Sequence, residues 1–479
     1  MKNNLHRIVA KGGVLSLGDL REIISVAEEL GLNAISFGSR QDVILPQENL
    51  QGKNEELFKN LTLVNPDELG KENIVSSYVS SDIFPNTLWL TGNKYLYILE
   101  TFRYQPNLKI NITDPKQRLV PLFTGNLNFI AATDEDYWYL YVKLPQWKES
   151  QLYPVLVYSW DIAKVSYQIE QLLQEEPDSV EMLFELVSEH VSDNNRTIQT
   201  PLKVPFHPFP YYEGMNKIGD EYWLGLYWRN NLYDLKFLKS MCDLCAECRI
   251  GKISLTPWKS FIVKGIPVAY KLQWEKFLGK FGINVRHSLL ELNWHLPVHD
   301  LEAVKTKTFL VRSLDQNDIS TYGLTFSVVN YTSQKDYFTS IVIEKNPYPK
   351  EIESIIIRDT FNVLYAQNFD PNNQKYFVHV QDVDKVELPG VLMELSKKYF
   401  EQLGTTEEIQ NHVKPKEEVS SEVHQCKHCL TVYEKEKGDE GQGIPAGTSF
   451  ENLPISYHCP VCEAEKSDFE VKVFTRQIN

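Results

Sequence analysis

Cysteine is scarce in this chain. There are 7 in 479 residues, none lies between residues 249 and 425, and four fall after Gln425. Such usage argues against a disulfide framework and for thiols kept reduced to bind metal. Long apolar runs are also missing. No stretch approaches the roughly 18 apolar residues of a membrane span, and the opening MKNNLHRIVAKGGVLSLGD has no apolar core of signal-peptide length. Positive charge is short, with 49 Lys and Arg against 64 Asp and Glu, a net charge of −15 and a pI near 5.3. Non-specific binding to nucleic acid or to an anionic membrane needs a cationic surface, so this balance argues against both. It fits solubility, or docking to a basic partner. His6, His207, His287 and His295 lie far apart from one another and read as loop or satisfied core residues. Together these absences describe a cytoplasmic protein with neither nucleic acid nor membrane as a partner.

What is present is ordinary globular material. A hydrophobic fraction of 42% and a charged fraction of 24% support a sizeable core, and the length predicts roughly three domains. Aromatic residues gather in alternating runs such as DYWYLYVKL (136–144) and DEYWLGLYW (220–228), which predicts half-buried strands.

The first segment predicts a helix in SLGDLREIISVAEELGLN, with Leu20, Ile23, Ile24, Ala27 and Leu30 on one face, Ser16 or Asp19 as its cap and Gly31 at its end. A strand follows in NAISFGSRQDVILP, broken near Gly38 and stopped by Pro46, and then a helix in NEELFKNL. About 218 residues later the order recurs. LYDLKFLKSMCDLCAECRIG predicts a helix with Leu235, Leu238, Cys242 and Cys245 on one face. KISLTPWKSFIVKGIP is again a broken strand, and KLQWEKFLGKFGIN again a helix. Ala34 to Leu45 lies over Lys252 to Val263 without gaps, which suggests a duplication into two halves. The stretches after each unit also match: strand, polar loop, strand and hairpin over Leu108 to Pro145, and two strands across a polar turn over Ile319 to Lys345. Residues 148–201 are acidic and read as mostly helical. PLKVPFHPFPYY reads as an extended connector, and Gly404 to Gln425 as a flexible charged tether.

Two CxxC pairs close the chain, CKHC from Cys426 and CPVC from Cys459. With 29 residues between Cys429 and Cys459, they supply the four thiolates of a tetrahedral site. Spacing alone does not separate zinc from iron, since both accept four sulfurs. The intervening residues resemble rubredoxin over their whole length: Tyr433, the Gly438–Asp439 pair, GIPAGTSFENLP from Gly443 to Pro454, Pro460, Lys466 and Phe469. The resemblance implies one iron ion cycling between Fe3+ and Fe2+ on Cys426, Cys429, Cys459 and Cys462. The family usually has glycine after the second and fourth ligands. Here those positions are Leu430 and Glu463, and Tyr457 replaces the family's Trp shortly before the third ligand.

The large N-terminal part resembles nitrite and sulfite reductases. AISFGSRQDVILP is similar to the TRQ-bearing strand of their ferredoxin-like half-domain, RIGKISLTPWKSFIVKGIP to its second copy, and the segment from Leu108 to Pro145 to their companion domain. Those enzymes bind sirohaem bridged to a [4Fe–4S] cluster, which needs four thiolates. Where the family has GCxNxC this chain has TDPKQR (113–118), so sirohaem and the cluster are not expected. Cationic residues that hold sirohaem carboxylates would survive in Arg40 and Lys259, although Arg40 aligns with Trp258 in the second half. Cys242, Cys245 and Cys248 recur at i, i+3 and i+6. They read as core thiols, with a three-cysteine cluster completed from outside, or redox sensing, as alternatives.

The expected fold class is α+β: duplicated ferredoxin-like and companion domains of the nitrite/sulfite-reductase type, plus a small C-terminal rubredoxin-like domain. The expected boundaries are 1–75 and 206–295 for the ferredoxin-like halves, 76–205 and 296–403 for the companion units, 404–425 for the linker and 426–479 for the metal module. The expected function is one-electron carriage on a reductase-like docking scaffold. A flavin- or NAD(P)H-dependent reductase would be the donor and a second reductase, of nitrite or sulfite type, the acceptor. Alternatives are a reductase that keeps a tetrapyrrole with the module as its built-in donor, or a zinc-binding interaction protein. Catalytic residues are not identified.

Overall fold

The structure, a computed structural model, describes residues 5–46, 61–64, 71–284, 291–331, 337–347, 350–352, 355–413, 418–429, 431–435 and 437–477. The chain divides into two compact units, Met1–Tyr399 and Phe400–Asn479. The expected helix NEELFKNL, all but its last residue, lies outside the described residues, as do His287 and Leu430.

In the first unit, helix Leu17–Glu29 starts where Ser16 Oγ accepts from the Asp19 amide at 3.0 Å, so Ser16 is the cap. Leu20, Ile23, Ile24 and Ala27 are buried on its inner face. Helix Leu235–Glu247 repeats this at the 218-residue offset, capped by Asp234, which accepts from the Phe237 amide at 2.9 Å. Around them lie two antiparallel five-stranded sheets. One holds Leu5–Ile8, Ala34–Phe37, Val43–Pro46 and Leu63–Val64 of the first half; the other holds Gly214–Ile218, Glu221–Leu226, Lys252–Leu255 and Phe261–Pro267 of the second.

Each sheet is completed by the other half. Val14–Ser16 pairs with Lys252–Leu255, placing Leu15 opposite Ile253. Tyr233–Asp234 pairs with Ala34–Phe37, placing Tyr233 opposite Ile35. The Leu17 amide donates to Gly251 O and the Leu235 amide to Asn33 O, each at 3.0 Å. The exchange obeys the same 218-residue offset, and one core takes Leu20, Ile24 and Phe37 together with Leu238, Met241 and Phe261.

The companion sheets share a second pattern. In the first, Ile74–Ser76, Ile110–Thr113 and Leu127–Ala131 run parallel, then Tyr137–Val142 and Val155–Tyr158 antiparallel, with Asn195–Thr197 at the edge and Gln151–Leu152 beside Tyr137–Val142. In the second, Trp294–His295, Phe326–Asn330 and Ile341–Lys345 run parallel, then Thr360–Ala366 and Tyr376–Asp384 antiparallel. Helices Gly92–Thr101 and Leu301–Gln316 provide the first crossovers.

Three expectations change. Phe326–Asn330 and Ile341–Lys345 are parallel neighbours and not the two arms of a turn. The boundary at 75 cuts the companion strand Ile74–Ser76, and the boundary at 295 leaves the companion strand Trp294–His295 outside its unit. The stretch read as a tether carries regular structure: helix Leu388–Val413 runs into it, and Glu418–Cys426 is a strand paired with Phe469–Gln477. Glu- and Gln-rich sequence prolongs a helix past the end of its apolar stripe because their propensity is good and elongation needs no new nucleus. A polar strand is held by its partner's ladder.

Candidate metal centre

Glu418–Cys426, Val432–Tyr433 and Phe469–Gln477 form a three-stranded sheet with the first strand in the middle. Its core is aromatic. The Tyr433, Phe450, Tyr457 and Phe469 rings interlock at centroid separations of 5.1–6.4 Å, and His424 stacks on Phe450 at 4.1 Å. Gly438 is required where it stands: its φ is +67°, and a Cβ there would lie 2.5 Å from Ile444 O. Lys466 Nζ donates to Glu451 O at 3.0 Å and to Leu453 O at 2.6 Å, tying the Phe450 turn to the second CxxC segment.

The two CxxC segments are copies of one knuckle, 33 residues apart. The Cys426 amide donates to Thr431 O at 2.9 Å and the Cys459 amide to Ala464 O at 2.8 Å. Gln425 pairs with Val432, and His458 with Glu465. Glu463 takes the left-handed position of its knuckle, at φ +59°, where the family has glycine.

All four sulfurs lie within 4.8 Å of one another, with Cys429 to Cys459 at 3.4 Å and Cys426 to Cys462 at 3.6 Å. Disulfide sulfurs sit about 2.05 Å apart, whereas four sulfurs held about 2.3 Å from one ion are about 3.8 Å apart. The arrangement is that of a tetrathiolate site. Cys426 and Cys459 are buried, Cys429 half-buried and Cys462 exposed. Hydrogen bonds from the Thr431 side chain and backbone pull the Cys429 thiol down to about 6. Sequence reasoning missed this hydroxyl, because a Thr two residues after a ligand carries no pattern of its own.

Among the described residues, this is the one group of His, Cys, Asp and Glu side chains with the geometry to hold a metal ion. Cys242 and Cys245 are buried in helix Leu235–Glu247, and Cys248 is buried at its end. All three belong to the core shared by the halves. Burial pushes the Cys242 thiol up to about 11 and that of Cys245 higher still, which disfavours the thiolate a metal requires. The loop Thr113–Arg118 is bound to the protein itself. Asp114 accepts from the Thr87 amide at 2.6 Å, Gln117 Nε2 donates to Asp114 O and Val120 O, and Arg118 pairs with Asp370 at 2.9 Å. Both terminal nitrogens of Arg40 are likewise engaged: the guanidinium donates to Asn111 Oδ1 and Asn73 O, both at 2.7 Å, and to Ile110 O at 3.0 Å. Residues present in these places do not fit a sirohaem–cluster pair. Lys259, by contrast, lines a cavity.

A family model described as rubredoxin matches residues 423–469. Rubredoxin-2 of Chlorobaculum tepidum is 52% identical over 48 residues, which is 10% of this chain and 92% of that protein. This chain belongs to the rubredoxin family. Rubredoxin-2 of Desulfovibrio desulfuricans is 47% identical over 45 residues, 9% of this chain and 73% of that protein. The high molecular weight rubredoxin of Moorella thermoacetica is 42% identical over 57 residues, 12% of this chain and 25% of that protein. Cys426, Cys429, Cys459 and Cys462 fit the Fe(Cys)4 site of that family and would hold one iron ion, which would supply a one-electron Fe3+/Fe2+ couple. The rest of the chain resembles a nitrite/sulfite reductase fold. It is similar to the structure of the Mycobacterium tuberculosis NirA protein at a TM-score of 0.61 and 15% identity, covering 81% of this chain and 79% of that one. No described helix is long and apolar enough to cross a membrane.

Proposed function

We propose that the protein carries single electrons on its rubredoxin site for a cytoplasmic reductase system of the assimilatory nitrite or sulfite type, with its reductase-like body as the docking scaffold. The observation that carries this reading is the graded burial of the ligands: two sulfurs lie in the aromatic core and Cys462 reaches the surface. A protein shell on one side protects the site from water, while the exposed ligand shortens the path to a partner. From Cys426 onward there are six Lys and Arg against nine Asp and Glu, which suits a basic docking face on a donor or acceptor. The donor would be a flavin- or NAD(P)H-dependent reductase and the acceptor a second reductase. Carrying both parts on one chain raises the local concentration of the carrier wherever the body docks. We assign Cys426, Cys429, Cys459 and Cys462 as the ligands.

The deciding experiment is an absorption spectrum with metal analysis on anaerobically purified full-length protein, before and after dithionite. One iron per chain and a red colour that bleaches on reduction are expected. A colourless protein with one zinc would replace electron carriage with a structural role.

A further inference from the structure

We infer that the second half carries a binding pocket for a small aromatic carboxylate, seated on the ammonium group of Lys259. A cavity of about 300 Å³ opens between the loop 227–232 and the segment 294–304, at the lower end of ligand-pocket volumes. Its wall is largely apolar, with the indoles of Trp258 and Trp294 and the side chains of Leu296 and Val304.

Lys259 is 6% exposed, and its ammonium has no hydrogen-bond or ion-pair partner among the described residues. The other lysine buried among the described residues, Lys307, lines the same cavity but is engaged: its Nζ lies 2.7 Å from Glu291 Oε2 and 3.3 Å from the Tyr227 hydroxyl. A buried, unpaired cation is costly unless something compensates it.

The duplicated fold supplies an internal control. Gln41 stands 218 residues before Lys259, and both adopt φ +58°. The Gln41 amide is fully used: Nε2 donates to Ser76 O at 3.1 Å and to Leu255 O at 2.8 Å, and Oε1 accepts from the Ser76 amide at 2.8 Å. At Lys259 the backbone is held in place by the Tyr233 hydroxyl, which donates to its carbonyl at 2.8 Å. The same strained backbone position therefore presents a satisfied neutral amide in one half and, beside a cavity in the other, an ammonium with no partner among the described residues. Strain of this kind persists where the surroundings fix it, and it gathers at ligand sites. Burial lowers the Lys259 ammonium to about 7, with Lys307 adding to the effect and Asp42 opposing it. One free positive charge suits one negative charge, whereas a polyphosphate calls for several donors. Two indoles suit a flat apolar body. The inference is independent of the electron-carrier reading, since the pocket lies in the first unit.

The test is calorimetric titration of 2-naphthoate into the full-length protein at pH 6, with neutral 2-naphthamide for comparison. Naphthoate should bind at least about tenfold more tightly than the amide. Lys259→Met should remove that preference while keeping amide binding, and Val304→Trp, which fills the cavity, should block both. Equal affinities in the wild-type protein, no binding of either probe at millimolar concentration, or a preference that survives Lys259→Met would each overturn the proposal. The wild-type comparison decides even if a variant fails to fold.

Discussion

The Thr431 hydroxyl lies 3.0 Å from the Cys429 sulfur, so one ligand of the iron site receives a side-chain hydrogen bond beyond those from the backbone. A donor at sulfur favours whichever state places more negative charge there, and that is the reduced one. Thr431→Val keeps the shape and removes the donor. A hydrogen bond to a charged group contributes about 1.5–3 kcal/mol, and only part of it differs between the two states. The midpoint potential should fall by about 30–60 mV, given about 59 mV per tenfold change for one electron. Spectroelectrochemical titration of both proteins measures it, and an unchanged potential would show the contact to be incidental.

Gly438 stands at φ +67° with Ile444 O where a Cβ would be. Gly438→Ala therefore adds left-handed strain of about 1–2 kcal/mol and a clash with backbone that has little room to give. The rubredoxin segment should lose about 2–3 kcal/mol, read as an earlier thermal loss of the visible absorption, while the unfolding of the large unit stays in place.

Removing the metal should unfold the second unit selectively. Its core is a handful of aromatic side chains together with Cys426 and Cys459, and small domains with so little buried surface rely on such ties. Binding free energy is folding free energy in these cases. Scanning calorimetry of acid-stripped protein returned to neutral pH should show the lower-enthalpy transition moved down by at least about 20 °C. The larger transition of the first unit should not move.

Lys259 also predicts a pH dependence. Its folded value of about 7 lies below the 10.4 of an unfolded lysine. Below pH 7 both states hold the proton, and the cost of burying the charge, about 4 kcal/mol, is borne in full. Between pH 7 and 10 the folded state sheds its proton while the unfolded state keeps it, so this contribution to stability rises with pH. Lys259→Met should thus stabilise the first unit at pH 6 by up to about 4 kcal/mol, and the gain should shrink towards zero by pH 10. Urea unfolding at pH 6 and pH 9.5 gives the comparison.

Much of this was legible in the sequence because it is written locally. The cysteine spacing, the Gly438–Asp439 turn and the apolar face of Leu20, Ile23, Ile24 and Ala27 each depend on neighbours a few residues away. The repeat was visible because equivalent elements keep a constant offset. What escaped depends on distant partners. Nothing in VLS (14–16) says that it pairs with Lys252–Leu255, since apolar periodicity reports that a strand is buried and not against what. Parallel pairing of Phe326–Asn330 with Ile341–Lys345 leaves the same alternation as a hairpin would. The opposite fates of Gln41 and Lys259 are invisible in a line of text, where both are polar residues in similar turns between strands. The strand Glu418–Cys426 looked like a tether because its order comes from Phe469–Gln477, some fifty residues on.

The strand exchange between the halves has a consequence for ancestry and for engineering. A single half cut out at the connector 201–212 would lack one edge of its own sheet and would present that edge to any copy of itself. Two such copies would trade Val14–Ser16-like strands across a two-fold axis, as isologous dimers do. The forebear of this protein is therefore best pictured as a homodimer whose subunits became joined end to end. A chain nicked in the connector should stay associated as a pair of fragments.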